Sequence, residues 1–314
     1  MASVRKVLVV GGGIAGLTLA IGLRRRGINV DVVEIQPRWN VLGVGISLTG
    51  PTLRALKSID LIEPCVAVSF GFNRIVFADA TGREFGALSL PKLSGPEYPA
   101  TVAIGRPALH DVLIRATERL GAVVRLGASV SQLDQSGDAV DVTFSDGRRG
   151  SYDAVVGCDG LRSSVRNLVF GNLDSENFTG LAVWRATMPR LPEVECMQMF
   201  YGPHTKAGVN PHSRDNMFLF LVQPIRSGER LPPDRMHILL SEQLADFSGP
   251  VMEHARAHIT DPARVDYRPM NAFLLPRPWH RGRVVVIGDA ATRAAVEAHA
   301  ELVTAETLTE DLVL

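Results

Sequence analysis

The sequence has few cysteines, no net charge and no long apolar run. Its three cysteines, Cys65, Cys158 and Cys196, are too scattered for a disulfide framework or a metal knuckle. Lys plus Arg and Asp plus Glu both number 33, so no overall field attracts nucleic acid or an anionic membrane. The start lacks the apolar core of a secretion signal, and no run approaches the roughly 18–20 apolar residues of a transmembrane span. These absences favour a cytoplasmic protein with a small-molecule partner, no metal, and no membrane or nucleic-acid partner.

The most informative segment is Lys6–Glu34, which predicts a strand, a glycine turn, a helix and a second strand. Val7–Val10 is a short β-branched run typical of a buried parallel strand. The G-x-G-x-x-G spacing that follows is formed by Gly11, Gly13 and Gly16. The first glycine permits a tight turn, the second lets backbone approach a pyrophosphate, and the third lets the helix pack on the strand.

The start of the predicted helix and the end of the second strand both have features of a dinucleotide-binding site. Ile14 and Ala15 open the helix, where free N–H groups and the helix dipole attract phosphate. Glu34 ends the second strand, where a carboxylate can accept both hydroxyls of an adenosine ribose and disfavours a 2′-phosphate. This pattern predicts FAD or NAD rather than NADP. The alternative is an ordinary strand-to-helix turn.

Two later strands also end in glycine and an acid. YDAVVGCDG places Asp159 and Gly160 at a strand end, and RVVVIGDAA does the same with Gly288 and Asp289. In α/β sheets, ligands bind in the crevice outside the carboxyl ends of the strands. Taken alone, Asp-Gly followed by serines is an ordinary turn and helix N-cap. Three such strand tips together predict one elongated ligand lying across them.

The remaining sequence predicts an α/β protein with two kinds of sheet. Residues 178–240 contain strand-like segments separated by turn-rich ones, and 72–90 alternates as a hairpin. We expect a Rossmann-like nucleotide-binding domain with a parallel sheet and an antiparallel-sheet substrate domain. The nucleotide-binding domain is expected at 1–70, 101–170 and 271–314, and the substrate domain at 71–100 and 171–270.

Several polar residues are weaker site candidates. Arg106 precedes Pro107 at the start of a predicted helix, and an exposed arginine is an equally good interpretation. Ser47 lies in a glycine-rich loop, where a turn hydroxyl is its ordinary role. Four residues near predicted strand ends could contact a substrate, although exposed histidines in loops usually have no such function: Tyr201, His204, Asn210 and His212.

Taken in order, GGGIAGL with Glu34, CDGLRSSVR and RVVVIGDAA resemble the p-hydroxybenzoate hydroxylase-like FAD monooxygenases, the class A flavoprotein hydroxylases. The resemblance implies that the three glycines and Glu34 hold the ADP half of FAD and that Arg106 contacts the flavin. It also implies that Asp159 assists cofactor and nicotinamide binding and that Asp289 holds the ribitol. Ser47 stands where some pyridine- and phenol-hydroxylating relatives have a catalytic histidine.

The resemblance also implies a reaction. Only one dinucleotide fingerprint is present, so NADH or NADPH would bind transiently and reduce the flavin. The reduced flavin would react with O₂ to form a C4a-hydroperoxide that hydroxylates a small aromatic or heteroaromatic substrate. A related halogenase or flavin dehydrogenase is an alternative, but Trp39, Trp184 and Trp279 are isolated and form no W-x-W-x-I-P motif. A non-catalytic FAD-binding protein is another.

The C-terminal segment departs from the family pattern. After Asp289 the family has a proline- and glycine-bearing loop and a helix, whereas this sequence has neither residue type after Gly288. Its alanine-rich composition predicts a long helix, within which Glu310 and Asp311 resemble the family's E-D pair. This departure bears on how tightly flavin is held. The sequence leaves open whether the chain is a monomer or a homodimer.

Overall fold

A computed structural model describes residues 4–40, 43–135, 137–171, 177–226 and 231–293. The chain divides into two compact units. Unit 1 contains the described residues up to Trp39, Ala116–Thr179 and the described residues from Met270 on, and unit 2 contains Asn40–Arg115 and Gly180–Pro269. The expected alanine-rich helix and its Glu310-Asp311 pair lie outside the described residues.

The strands, in chain order, are β1 (Lys6–Val10), β2 (Asn29–Glu34), β3 (Gly45–Leu48), β4 (Phe70–Phe72), β5 (Arg74–Asp79), β6 (Glu84–Ser89), β7 (Thr101–Gly105), β8 (Val123–Leu126), β9 (Val130–Asp134), β10 (Val140–Phe144), β11 (Arg149–Tyr152), β12 (Ala154–Gly157), β13 (Asn177–Pro189), β14 (Met197–Tyr201), β15 (Lys206–Pro211), β16 (Asn216–Pro224), β17 (Val265–Leu274), β18 (His280–Arg281), β19 (Val284–Val286) and β20 (Thr292–Arg293). The α-helices are α1 (Ile14–Arg25), α2 (Gly50–Ser58), α3 (Ile62–Ala67), α4 (Arg106–Arg119), α5 (Ser164–Phe170), α6 (Met236–Gln243) and α7 (Pro250–His258).

Unit 1 is built on a sheet with the strand order β18-β19-β12-β1-β2-β8. All neighbouring pairs from β19 to β8 are parallel, and β18 pairs antiparallel with β19. Leu8 and Val10 of β1 lie in a buried cluster with residues of β9 to β12 and β19. The predicted parallel sheet is confirmed, and Val7–Val10 of β1 is buried as expected.

Unit 2 contains a larger, mainly antiparallel sheet in the order β17-β13-β16-β15-β14-β5-β6. Within this sheet, β14 and β5 pair in parallel. These two strands are far apart in the chain, so no tight turn imposes an antiparallel pairing. One face packs on α6 and α7 through a core that includes Trp184, Leu219 and Phe247. The predicted hairpin over 72–90 is observed as β5 and β6.

A second sheet in unit 2, ordered β3-β7-β4, accounts for a difference from the expected domains. Residues 40–70 and 101–115 were expected with the nucleotide-binding fold but belong to unit 2. The ring of Phe218 on β16 lies 2.5 Å from the point where a Cβ on Gly45 would stand. Packing between the two sheets therefore groups β3 and β7 with the large sheet.

The described part of the chain contains no helix with both the length and the apolar character needed to cross a bilayer. The three cysteines are buried and free. For Cys158, burial raises the pKa of the thiol well above its ordinary value, so this group stays protonated at neutral pH.

The core of unit 1 can be tested by a matched pair of leucine replacements. Leu8 is 0% exposed, whereas Leu168 on α5 is 44% exposed. We expect Leu8→Ala to lower the free energy of unfolding by about 2–5 kcal/mol, because it leaves a cavity in a packed core. Leu168→Ala should change it by about 0.5 kcal/mol or less. Urea unfolding followed by circular dichroism measures both, and equal losses would contradict the described packing.

Candidate functional site

The predicted strand tips meet at one edge of the unit 1 sheet. Val10 of β1 is in register with Gly157 of β12 and with Val33 of β2, and Gly157 is in register with Val286 of β19. Because these strands are parallel, their carboxyl ends share one edge. The three motifs that the sequence analysis singled out are therefore brought together.

Close contacts between the motifs explain two of their glycines. Gly11 has φ of +107°, and a Cβ there would lie 2.4 Å from the carbonyl oxygen of Cys158. A Cβ on Gly288 would lie 2.9 Å from the Cβ of Ala15. Real Cβ atoms do not approach other atoms so closely, so glycine is needed where the first motif contacts the second and the third.

The other two glycines of the fingerprint differ in their surroundings. A Cβ on Gly16 would stand 1.9 Å from the carbonyl oxygen of Gly11, so this glycine lets α1 pack against the turn. Around Gly13, by contrast, no described atom beyond the adjoining residues of the chain comes within 4 Å of the position a Cβ would take. The backbone at Gly13 is thus open to a close ligand, as expected for the second glycine of the fingerprint.

The N-terminus of α1 is suited to an anion. Gly13 is its N-cap, no side chain of the described protein caps it, and its first turn has no acidic residue. Arg24 and Arg25 occupy its last turn, where they complement the helix dipole. The free N–H groups at Ile14 and Ala15 can therefore bind a phosphate group.

Glu34 is held beside the glycine turn by two backbone donors. Its Oε2 accepts a hydrogen bond from the N–H of Gly12 at 2.8 Å, and its Oε1 accepts one from the N–H of Gln36 at 3.0 Å. Each oxygen retains a further acceptor site for a hydroxyl group. The ring of Trp39 lies 2.6 Å from where a Cβ on Gly12 would stand. Sequence reasoning missed this tryptophan, since no local pattern places it there.

Asp159 caps a helix. Its carboxylate accepts hydrogen bonds from the Ser163 hydroxyl, from the N–H and hydroxyl of Ser164 at 2.7 and 2.9 Å, and from the N–H of Val165 at 3.1 Å. Ser163 is the N-cap of α5 and accepts from the N–H of Arg166. The ordinary interpretation of the Asp-Gly sequence, a turn with a helix cap, is thus confirmed. The cofactor role that the family resemblance implies for Asp159 would be additional to this capping role. Gly160, the next residue, has a left-handed backbone conformation with φ of +79°.

Arg166 connects the second motif to the third by hydrogen bonds to backbone carbonyl groups. It is 6% exposed and donates to the carbonyl oxygens of Ala290 at 3.0 Å and Leu161 at 2.6 Å. Its guanidinium also lies 4.5 Å from the ring centre of Phe273. The carboxylate of Asp289, immediately before Ala290, is exposed and available to a ligand hydroxyl.

The remaining candidates belong to unit 2, and three of them lie at the start of α4, on β3 and just after β15. Arg106 begins α4 with its side chain against Gly43, and its buried Nε has no hydrogen-bond partner among the described residues. Ser47 on β3 accepts a 2.8 Å hydrogen bond from Nδ2 of Asn210. His212 follows β15, where burial lowers the pKa of its imidazole.

Tyr201 and His204 lie at the other end of the β14–β15 hairpin. Tyr201 is 44% exposed and packs with the rings of Phe77 and Phe85 at centroid distances of 6.4 and 6.0 Å. His204 is exposed in the turn between the strands. The structure therefore groups Ser47 with His212 and separates both from Tyr201 and His204.

The arrangement matches a known family. The sequence profile described as FAD binding domain covers residues 5–298. The chain belongs to the FAD-binding flavoprotein monooxygenases. It is similar to a putative FAD-dependent monooxygenase of Bacillus subtilis, with 27% identity over 93% of this chain and 79% of that protein. It is also similar to 2-heptyl-3-hydroxy-4(1H)-quinolone synthase of Pseudomonas aeruginosa, with 31% identity over 91% of this chain and 74% of that protein.

The fold agrees with the same family. A crystal structure of Klebsiella pneumoniae HpxO complexed with FAD and uric acid superposes with a TM-score of 0.80 at 23% identity, over 92% of this chain and 73% of that one. The expected p-hydroxybenzoate hydroxylase-like fold is confirmed. This FAD-dependent monooxygenase is accordingly an oxidoreductase that uses FAD.

Removing the helix cap should weaken the monooxygenase fold. We expect Asp159→Ala to lower the free energy of unfolding by about 0.5–2 kcal/mol, because the first N–H groups of α5 lose their acceptor. Asp138→Ala provides the control, since that aspartate is exposed. Thermal and urea unfolding measure the difference. An Asp159→Ala protein as stable as the control would show that the cap does not support α5.

The buried imidazole of His212 makes stability depend on pH. Its pKa in the folded protein lies below the ordinary 6.5, so the unfolded state binds more protons and stability falls as pH drops below about 6.5. We expect His212→Leu to flatten the pH dependence of the free energy of unfolding between the lowered pKa and pH 6.5. Urea titrations at stepped pH measure it, and an unchanged slope would contradict the assignment.

Proposed function

We propose that this monooxygenase uses NADH or NADPH and O₂ to hydroxylate a small aromatic or heteroaromatic ring in the cytoplasm. The observation that carries the proposal is the meeting of the three motifs at one sheet edge, with open backbone at Gly13 and the Glu34 carboxylate beside it. This is the arrangement that a dinucleotide requires.

The described residues fit FAD. The pyrophosphate would be bound by the backbone of the glycine turn and by the N–H groups at the start of α1, and the adenosine ribose by Glu34. The exposed Asp289 beside Gly288 would accept from ribitol hydroxyls. In unit 2, Arg106 is the residue that the family resemblance assigns to the flavin. Its buried, unpaired Nε within the described chain supports that role.

FAD, when bound, supplies the electron transfer and the flavin-C4a oxygenation chemistry that the family resemblance implies. The chain has to orient the ring to be hydroxylated and exclude water from it. With one dinucleotide fingerprint in the sequence, NADH or NADPH is a transient co-substrate rather than a second resident cofactor. The similar Pseudomonas protein is named for a hydroxylated quinolone, which supports a heteroaromatic substrate.

Purification and a cofactor assay test this proposal. We expect the protein to bind FAD, to show flavin absorbance, and to oxidise NADH or NADPH faster when a substrate ring is present. Hydrogen peroxide release, measured with and without the ring, reports how much of the reducing power is coupled to hydroxylation. A chain that binds no flavin, or oxidises neither nicotinamide with any ring tested, would contradict the proposal.

A matched pair of glutamates tests the ribose contact. We expect Glu34→Gln to weaken FAD binding by about tenfold or more, because hydrogen bonds to a charged acceptor contribute about 1.5–3 kcal/mol. Glu118→Gln, at an exposed position on α4, should leave FAD affinity unchanged. Quenching of flavin fluorescence measures both dissociation constants. Equal affinities would remove Glu34 from the cofactor site.

A further inference from the structure

Unpaired buried polar atoms occur close together in unit 2. In the described part of the chain, Oδ1 of Asn210 and Nε2 of His212 are buried without a hydrogen-bond partner. Asn210 is 0% exposed. Each such atom costs roughly 1–3 kcal/mol when it is left unsatisfied. Two such atoms on residues two positions apart in one segment require an explanation.

These residues share one packed face with an aromatic ring. Nδ2 of Asn210 donates to Oγ of Ser47 at 2.8 Å, and Asn210 stands opposite Phe218 in the β15–β16 register. The ring of His212 lies 6.0 Å from that of Phe218, and its Nδ1 lies 3.8 Å from where a Cβ on Gly105 would stand. We call Ser47, Asn210, His212 and Phe218 the polar cluster.

A purely structural role explains only part of the polar cluster. The hydrogen bond between Asn210 and Ser47 links β15 to β3 and accounts for the amide nitrogen. It leaves the amide oxygen and the imidazole Nε2 without partners. Apolar residues of the same shape would pack here without that cost. A ligand that supplies both partners accounts for the two atoms together.

A cleft opens next to the polar cluster within unit 2. Thr187 on β13 is in register with Phe218 on β16. Thr187 also lines a cleft of about 420 Å³, together with Gly43 and Val44 just before β3 and with Ala263, Arg264, Val265, Asp266 and Arg268. This volume suits a molecule of one or two rings. Arg106, the residue assigned to the flavin, packs against Gly43 on the same segment.

The chemistry of the polar cluster defines its ligand. An amide oxygen accepts, so the ligand must offer an N–H or O–H group. Nε2 of a neutral imidazole donates or accepts according to its tautomer. The polar cluster itself carries no carboxylate, guanidinium or ammonium group, and of the charged side chains that line the cleft, Asp266 and Arg268 pair with each other at 2.9 Å. We propose that the polar cluster binds the substrate of the proposed reaction as an uncharged, planar heteroaromatic ring that carries an N–H or O–H donor and a separate acceptor group. The ring lies against Phe218, its donor on Asn210 and its second polar group on His212.

This inference rests on the proposed function, so its test includes the cofactor. Calorimetric titration of the full chain, with and without FAD, would use four ring probes: 4-hydroxyquinoline, 1-naphthol, quinoline and quinoline-4-carboxylate. We expect 4-hydroxyquinoline to bind at least about tenfold more tightly than quinoline, which lacks the donor, and than the charged carboxylate. 1-Naphthol, with a donor alone, should fall between them.

Two variants separate recognition from packing. We expect Asn210→Leu to lose at least about tenfold in affinity for 4-hydroxyquinoline and none for quinoline. Gln223→Leu is the matched control. Its amide oxygen is also buried and unpaired within the described chain, but strand alternation places it on the opposite face of β16. It should leave probe selectivity unchanged.

The outcomes distinguish the two proposals. Normal FAD binding with no loss of 4-hydroxyquinoline affinity in Asn210→Leu would overturn the polar cluster as a binding site and leave the proposed function intact. Absence of FAD binding would contradict the proposed function whatever the probes do. If Asn210→Leu does not fold, His212→Leu provides the second variant. Unaltered probe selectivity in a folded His212→Leu protein would equally overturn the inference.

Discussion

Parallel pairing of β1 with β2 and β12, and of β12 with β19, is the constraint on which the site depends. It brings the carboxyl ends of strands from distant parts of the chain to one edge, so that three short motifs face the same space. Backbone hydrogen bonds continue past the strands, from the N–H of Gly11 to Val33 and from the N–H of Cys158 to Val10, both at 2.7 Å. These bonds fix the positions of the first residues after β1 and β12 relative to the neighbouring strands.

The acidic residues of the motifs contribute differently. Glu34 is oriented by backbone donors and keeps acceptor capacity, which suits a ligand hydroxyl. The carboxylate of Asp159 accepts hydrogen bonds from residues at the start of α5. Arg166 of that helix donates a hydrogen bond to the carbonyl oxygen of Ala290 in the third motif. The second motif thus acts first as a structural link between the glycine turn and the Gly288 turn. Asp289 alone is largely exposed to solvent.

Local patterns in the sequence predicted much of this, because short-range chemistry fixes them. The glycine spacing, the β1–α1–β2 unit and the Ser163 cap all depend on residues close together in the chain. The long-range features were not predictable in this way. The contact of Trp39 with Gly12, the Asn210–Ser47 bond across 163 positions, and the parallel pairing of β5 with β14 depend on how separate segments pack. The placement of 40–70 and 101–115 in unit 2 has the same cause.

The central claim is that FAD approaches the open backbone at Gly13, and one comparison of FAD affinity tests it most directly. Beyond the adjoining residues of the chain, no described atom lies within 4 Å of a Cβ added at Gly13 or at Gly137, so alanine fits the protein at both positions. The proposed site predicts that Gly13→Ala folds but binds FAD at least about tenfold more weakly, because the added methyl group occupies the space of the pyrophosphate. Gly137→Ala should bind FAD as the unmodified chain does. Equal FAD affinity in a folded Gly13→Ala protein would contradict the claim.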